Sequence, residues 1–200
     1  MHVHTRLSGD NDSDPDKLLA RAKVLELDAI CITEHHSVEI SAQLEPLAVK
    51  HGIRLLRACE ASTDIGHLLL YGMRDDSWNT YTGGGNFMSA SDVIAAARKQ
   101  GAFIVAAHPF RRGHNTFTLG DRLHRLDVDG VETVNARASA EENEKARRVA
   151  ESRGLAMTGG SDAHRPENVG KAWTVIDGEI KTMDELVAAL REKRTRPELR

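Results

Sequence analysis

The 200-residue sequence has little of several features that mark common classes of protein. It contains only two cysteines, Cys31 and Cys59, which are too few for a disulfide framework. The formal net charge is -3 and neither sign forms a long run, which argues against a protein that binds long nucleic acid or a membrane surface. No apolar run approaches the roughly 18 to 20 residues that cross a bilayer. Because a signal-peptide pattern is absent as well, we predict a cytoplasmic protein.

Aromatic residues are also scarce, whereas histidine is abundant. Two Trp, two Tyr and four Phe stand against ten histidines. Histidine is the commonest metal ligand and titrates near neutral pH, so this excess indicates chemistry rather than packing. Both cysteines lie in short apolar runs, DAICIT and IRLLRACE, where a thiol behaves as a small buried hydrophobe. A chain of this length can bury one substantial core, so we predict a single domain over residues 1–200.

Amphipathic segments alternate with compact apolar runs along the chain. Apolar residues at helical spacing predict helices over residues 14–27, 37–51, 89–100 and 140–153, and the capping box TMDE at 182–185 opens a last one. The apolar runs predict strands at 28–33, 53–60, 67–73, 102–108, 130–135 and 155–160. Residues 75–88, with three consecutive glycines, predict a loop. Alternating strands and helices imply an α/β fold with a mainly parallel sheet, open or closed into a barrel.

Histidine and carboxylate side chains recur at the ends of the predicted strands. His2 and His4 point to the same face of a first possible strand, because side chains alternate along an extended chain. Parallel strands all finish on one face of the molecule, where the catalytic residues of α/β folds gather. We therefore predict a shared metal site at this face. Its nine candidate ligands are His2, His4, Asp10, His35, Glu60, His67, His108, Asp162 and His164.

These ligands combine imidazole with carboxylate. Neither cysteine is near HVH or SDAH in the sequence, which excludes a structural thiolate zinc site. Zn, Mn and Fe all suit the set, and donor chemistry does not choose among them. Nine ligands are too many for one tetrahedral ion, so we predict two or three divalent ions that share a bridging carboxylate. Such clusters activate a water as hydroxide and stabilise charge on phosphoryl oxygens.

Together the motifs resemble those of the PHP family, the polymerase and histidinol phosphatase superfamily. HVHT followed by SGD, ITEHH, CEAST followed by GH, AHPF and GGSDAH occur in order over essentially the whole chain. The resemblance implies a distorted (β/α)7 TIM-like barrel with the metal cluster at its C-terminal mouth. The family's first strand normally runs several residues before HxH, where Met1 stands here, so we expect a truncated first strand and an exposed sheet edge.

The resemblance also implies how the ligands are divided among the ions. His2, His4, Glu60 and Asp162 would hold one ion; Glu60, as the bridge, would hold a second with His67 and His108; Asp10, His35 and His164 would hold a third. A hydroxide between the metals would attack phosphorus in line, with Glu60, Asp162 and His164 as the catalytic positions. One departure is Glu34, where the family usually has Asp; we expect it to reach differently or to act behind the ligands.

Most family members are phosphoesterases, so the resemblance implies a hydrolase of phosphoric ester bonds. We expect a stand-alone enzyme whose small phosphomonoester is a nucleotide, a sugar phosphate or an amino-alcohol phosphate. Two alternatives stay open: a nuclease or phosphodiesterase acting on terminal phosphodiesters, and a non-catalytic protein that keeps the metals for folding or docking. Substrate contacts are predicted for Arg111, Arg112 and His114, which follow HPF. Glu132 and Asn135 are expected to orient ligands or substrate. The oligomeric state stays open.

Overall fold

A six-stranded sheet forms the centre of the computed structural model, which describes residues 1–83, 87–113 and 118–200. Its strands lie side by side in chain order. They are β1 (Ala29–His35), β2 (Arg54–Thr63), β3 (Gly66–Tyr71), β4 (Phe103–Ala106), β5 (Gly130–Asn135) and β6 (Ala156–Gly160).

The sheet is mixed, because β3 is antiparallel to both of its neighbours while the other pairs are parallel. Only residues 64–65 separate β2 from β3, and a connection this short can join strands only in antiparallel fashion. The sheet is thus mainly parallel, as predicted, with β3 as its antiparallel member. Because β3 runs in the opposite direction, His67 near its start lies beside the C-terminal ends of the neighbouring strands.

The N-terminal segment closes the sheet on itself. Val3 forms a parallel bridge with Ala163, just beyond β6, and the Val3 carbonyl accepts a hydrogen bond from the Thr33 N–H of β1 at 2.9 Å. The His4 N–H donates to the Ala163 carbonyl, also at 2.9 Å. The strands thus curl into a distorted TIM-like barrel whose first strand is reduced to one bridge, which confirms the predicted truncated barrel. The expected exposed sheet edge is wrong at this level, because Val3 is buried and pairs with both Ala163 and Thr33.

Helices pack around the sheet close to where they were predicted. The segment after Ser37 begins as a 3-10 helix, Ile40–Leu44, and becomes α-helical only at Glu45, because Pro46 fits the first turn of an α-helix and not its interior. The predicted capping box at Thr182 and Glu185 is confirmed. The α-helices are α1 (Pro15–Val24), α2 (Glu45–His51), α3 (Ala90–Gln100), α4 (Ala140–Arg153) and α5 (Met183–Arg191).

A second, two-stranded sheet was not predicted. It pairs β7 (Ala172–Ile176) with β8 (Thr195–Leu199) in antiparallel fashion and packs against β6. The Thr174 hydroxyl accepts from the Gly159 N–H at 2.9 Å and donates to the Gly159 carbonyl at 2.8 Å, so one side chain satisfies both backbone groups of Gly159 on this edge of β6. Both cysteines are buried, as expected. Within the described part of the chain, no helix is long and apolar enough to span a membrane.

Candidate metal centre

All nine predicted ligands meet at one end of the barrel, and we call this set the donor cluster. Strand ends supply most of it, which is why residues far apart in sequence come together. His35 ends β1, His108 follows β4 by two residues, and Asp162 follows β6 by two residues. Asp10 reaches the cluster from the turn after the N-terminal segment, with its Oδ2 2.9 Å from His164 Nε2.

Glu60 lies at the centre of the donor cluster and is 1% exposed. Its Oε1 lies 3.0 Å from His67 Nδ1 and 3.1 Å from His108 Nε2. Its Oε2 lies 3.3 Å from His2 Nε2 and 3.1 Å from His4 Nε2. Burial opposes ionisation of Glu60, but the charges of His2 and His67 outweigh it and hold the pKa well below its usual range. The two oxygens thus face two different groups of imidazoles, which is the arrangement a bridging ligand requires.

His2 and His4 direct their Nε2 atoms at each other, 3.0 Å apart. The same atoms lie 3.7 Å and 3.8 Å from Asp162 Oδ1. Burial lowers the pKa of His4 to about 4, whereas for His2 burial is outweighed by Glu132, Glu60 and Asp162, which raise the pKa. Converging nitrogen and carboxylate donors in a buried position are stabilised when a cation lies among them. The donor set therefore fits divalent metal ions.

A third set of candidate ligands, Asp10, His35 and His164, lies nearer to the rim of the barrel. His164 Nε2 and His35 Nε2 lie 2.9 Å and 3.5 Å from Asp10 Oδ2. Burial opposes ionisation of Asp10, yet the hydrogen bonds of His164 and His35 lower its pKa. The Nδ1 atom of His35 is buried, makes no hydrogen bond with the described residues and lies 3.5 Å from Glu60 Oε2, so His35 connects this third group to the central carboxylate.

Three overlapping triads in the described residues place their ligand atoms within 4.8 Å of one another. The division into ions implied by the family resemblance gives His2 and His4 to one ion only. In the structure each of these two histidines belongs to two triads, so the partition stays a prediction. The triads are His2, His4 and Asp162; His2, Glu60 and His108; and His4, His35 and His164.

Backbone strain accompanies the cluster. His108 and Asp162 adopt positive φ angles of 28° and 47°, which are unfavourable for residues with a side chain. His36, directly after a ligand, has φ 61°, and its ring stacks on Tyr81 at 4.0 Å. Strain of this kind persists where the surrounding structure requires it, and it is concentrated at functional sites. Here it turns the chain sharply at three strand ends.

Two arginines lie beside the cluster. The Arg111 guanidinium contacts Asp162 Oδ2, and Arg137 Nη1 lies 3.5 Å from Asp162 Oδ1 and 3.1 Å from His164 Nδ1. Arg137 was not predicted as a site residue, although it follows β5 by two residues and so carries the same strand-end signal as the predicted ligands. Arg112 is exposed and lies beside α4, where its N–H donates to Glu142 Oε1 at 2.8 Å. His114, the third predicted substrate contact, lies outside the described residues.

Two further carboxylates, Glu132 and Glu34, are buried behind the histidines. Glu132 contacts the predicted ligand His2 and accepts a hydrogen bond from Asn135, and the orienting role expected of these two residues stays a prediction. Glu34 accepts hydrogen bonds from the hydroxyl groups of Thr5 and Ser8 and is in none of the three triads of the described residues.

Two models of known protein families match the chain. The family model described as the PHP domain matches residues 1–167, and the model described as PHP-associated matches residues 140–195. The chain is 26% identical over 146 residues to Uncharacterized protein MJ1587 of Methanocaldococcus jannaschii, an alignment that covers 68% of this chain and 80% of the relative.

Solved structures share the fold. A Bacteroides vulgatus protein, named as a "two-domain protein containing predicted PHP-like metal-dependent phosphoesterase", superposes with a TM-score of 0.74 at 21% identity, covering 99% of this chain and 63% of that chain. The lesion-specific endonuclease PfuEndoQ of Pyrococcus furiosus superposes with a TM-score of 0.67 at 17% identity, covering 96% of this chain and 55% of that one. With its family model spanning most of the sequence, the chain belongs to the PHP domain family.

Proposed function

We propose that the protein is a metal-dependent phosphoesterase that releases phosphate from a small phosphomonoester. A nucleotide, a sugar phosphate or an amino-alcohol phosphate would serve as the substrate. The observation that carries the proposal is the donor cluster around the buried carboxylate of Glu60, with the guanidinium groups of Arg111 and Arg137 directly beside it. Metal ligands and phosphate-binding cations at one mouth are what hydrolysis of a phosphoric ester requires.

The donor cluster would hold two or three divalent ions, with Glu60 between them. When bound, such ions make a water molecule more acidic and offset negative charge on phosphoryl oxygens. The chain's own residues would bind and orient the ester. Arg111 and Arg137 place two positive charges next to Asp162, within reach of a phosphate that sits over this carboxylate. Guanidinium groups bind phosphate oxygens through paired N–H donors, which fixes the phosphate in one orientation.

Asp162 and His164 complete the catalytic proposal together with Glu60. Burial opposes ionisation of Asp162, but the charges of His2, His108 and Arg111 lower its pKa, so it stays an acceptor at neutral pH. An ionised Asp162 would accept a hydrogen bond from the attacking water. His164 is only partly buried and its Nε2 lies 2.9 Å from Asp10 Oδ2, so its ring stands between the donor cluster and solvent, where it would hold a metal ion at the rim of the site.

A panel of phosphate esters tests this proposal. Purified protein loaded with Zn²⁺, Mn²⁺ or Fe²⁺ is expected to release phosphate from at least one nucleotide, sugar phosphate or amino-alcohol phosphate, with metal content measured on the same sample. Protein that retains its metal and releases no phosphate from the whole panel would refute the proposal. That result would instead favour a protein that keeps its metals for folding or docking.

The second candidate is cleavage of a terminal phosphodiester, which the fold similarity to the endonuclease PfuEndoQ favours. The net charge of -3 argues against extended contact with nucleic acid. Salt dependence separates the two activities, because contacts to several phosphates make the affinity fall steeply with salt. Turnover of mononucleotides that is insensitive to salt would support the phosphomonoesterase.

A further inference from the structure

The Nδ1 atoms of His2 and His4 point away from the donor cluster, and each has a partner of its own. For His2 the partner is Glu132, whose Oε1 lies 2.9 Å from Nδ1. A carboxylate accepts hydrogen bonds and cannot donate them once ionised, so this contact places the imidazole proton on Nδ1. Nε2, which lies 3.3 Å from Glu60 Oε2 and 3.7 Å from Asp162 Oδ1, is then the nitrogen that a metal ion among these donors would take.

Glu132 is itself held firmly. It is fully buried, and its Oε2 accepts from the His108 N–H at 2.8 Å and from Asn135 Nδ2 at 3.0 Å. Space for the contact with His2 depends on Gly160. A Cβ atom at this position would lie 2.4 Å from Glu132 Oε1 and 2.4 Å from the His2 Cβ. The glycine before Ser161 thus allows Glu132 and His2 to meet across β6.

His4 is held differently, through a hydroxyl group. Its Nδ1 lies 3.2 Å from Ser8 Oγ, and the Ser8 hydroxyl donates to Glu34 Oε2. Since the Ser8 proton is committed to Glu34, the Ser8 oxygen can only accept from His4. It also accepts from the His35 N–H at 3.2 Å. The contact therefore places the His4 proton on Nδ1 as well.

Glu34 is anchored to the same turn. It accepts from the Thr5 hydroxyl at 2.5 Å and from the Thr5 N–H at 3.1 Å. It stands where the family resemblance leads one to expect Asp, and its side chain contacts both Thr5 and Ser8. The carboxylate thus fixes the turn that follows His4.

We infer that Glu132, and Ser8 together with Glu34, are positioning residues that fix the Nδ1–H tautomers of His2 and His4 and thereby leave both Nε2 atoms for one divalent ion. The inference rests on the metal-binding part of the proposed function and is independent of the substrate. His2 has a direct, charged partner, whereas a neutral hydroxyl stands between His4 and its carboxylate. Because hydrogen bonds to charged groups are stronger, His2 is held more tightly than His4.

Zinc binding by substituted proteins tests this arrangement. Groups behind metal ligands typically contribute about 10- to 100-fold to metal affinity, so Glu132→Gln is expected to weaken Zn²⁺ binding by that factor in competition with a chelator. Ser8→Ala is expected to weaken it by less than about tenfold, because a neutral partner is lost. Thr133→Val and Ser13→Ala are matched controls, since both hydroxyls are buried with no hydrogen-bond partner among the described residues. We expect both controls to bind Zn²⁺ like the wild type.

The wild-type protein supplies a second test that does not depend on any variant folding. In ¹⁵N-histidine NMR of the Zn²⁺-loaded protein, His2 and His4 are expected to carry their proton on Nδ1 and to bind zinc through Nε2. Binding of either ring through Nδ1 would overturn the inference, as would Glu132→Gln protein with wild-type zinc affinity. Wild-type protein that binds no Zn²⁺ would overturn both this inference and the metal-dependent function. Absence of phosphate release with zinc bound through Nε2 would count against the phosphoesterase alone.

Discussion

Replacing Gly160 with alanine should damage both the stability of the barrel and its affinity for metal. The added Cβ would lie 2.4 Å from His2 Cβ and from Glu132 Oε1, whereas ordinary contact begins at 3.4 Å. Both contacts are therefore about 1 Å too short, and both groups or the backbone of Gly160 must move to relieve them. Such overpacking of a buried site typically costs about 1 to 3 kcal/mol of unfolding free energy. For a chain of this size, each kcal/mol lowers the Tm by about 2 to 4 °C.

A loss of Zn²⁺ affinity distinguishes the expected effect of Gly160→Ala from a simple loss of stability. A shift of His2 away from Glu132 would lengthen their 2.9 Å hydrogen bond, so Gly160→Ala is expected to weaken Zn²⁺ binding about as much as Glu132→Gln does. Gly101→Ala is the matched control, because Gly101 has φ 76° and a Cβ atom added there would meet no atom within 4 Å. The control should lose about 1 to 2 kcal/mol from its left-handed backbone alone and keep its zinc affinity.

Calorimetric or denaturant unfolding and chelator competition measure the two effects. We expect both variants to be less stable than the wild type, and only Gly160→Ala to lose zinc affinity. Unchanged stability and zinc affinity in Gly160→Ala would refute the argument that this glycine exists to let His2 and Glu132 meet. Equal zinc losses in the two variants would show that affinity follows global stability.

Four further predictions concern the site and the core. Glu60→Gln should lower phosphate release by at least about 100-fold and reduce the bound metal, because both groups of imidazoles face this carboxylate; near-normal turnover would sink its assignment as the bridge. Arg137→Ala should raise KM about tenfold or more through loss of a charge-assisted contact to phosphate, with Arg148→Ala, at an exposed position of α4, as control; equal KM values in the two variants would contradict the assignment. Chelation should lower the Tm and expose residues 1–5 to amide exchange, since metal would tie this segment down; unchanged protection would argue against that. Burial raises the pKa of the Cys31 thiol to about 12, and Cys59 is likewise buried, so neither should react with an alkylating reagent until the protein unfolds; fast labelling of the native protein would refute this.

Local patterns in the sequence were enough to predict most of the helices and strands. The apolar spacing predicted the helices that became α1, α3 and α4, because an amphipathic stripe and its capping residues are properties of neighbouring positions. Strands that form the sheet were found from compact apolar runs for the same reason. The second sheet was not predicted: Pro197 and two charged residues give β8 no apolar run, and AWTVI of β7 has no neighbouring strand signal to pair with.

Strand direction and side-chain partners required the folded chain. The antiparallel direction of β3 follows from its two-residue connection to β2. His67 therefore lies at the donor cluster, although it is near the start of its strand. Arg111 and Arg112 are adjacent in sequence, yet only Arg111 reaches Asp162. Adjacent residues in a loop diverge according to tertiary packing, which no local pattern describes.

The sequence by itself determined which side chains are available and where along the chain they occur: two histidines in HVH, and a histidine or carboxylate at strand after strand. Only the tertiary structure decided which nitrogen of each histidine faces the cluster, because that choice depends on partners as distant in sequence as His2 and Glu132. It also decided how the N-terminal segment closes the barrel, since Val3 must bridge β1 and the chain beyond β6. Ligand identity is a local property of the chain, whereas ligand orientation is set by contacts that exist only once the barrel has closed.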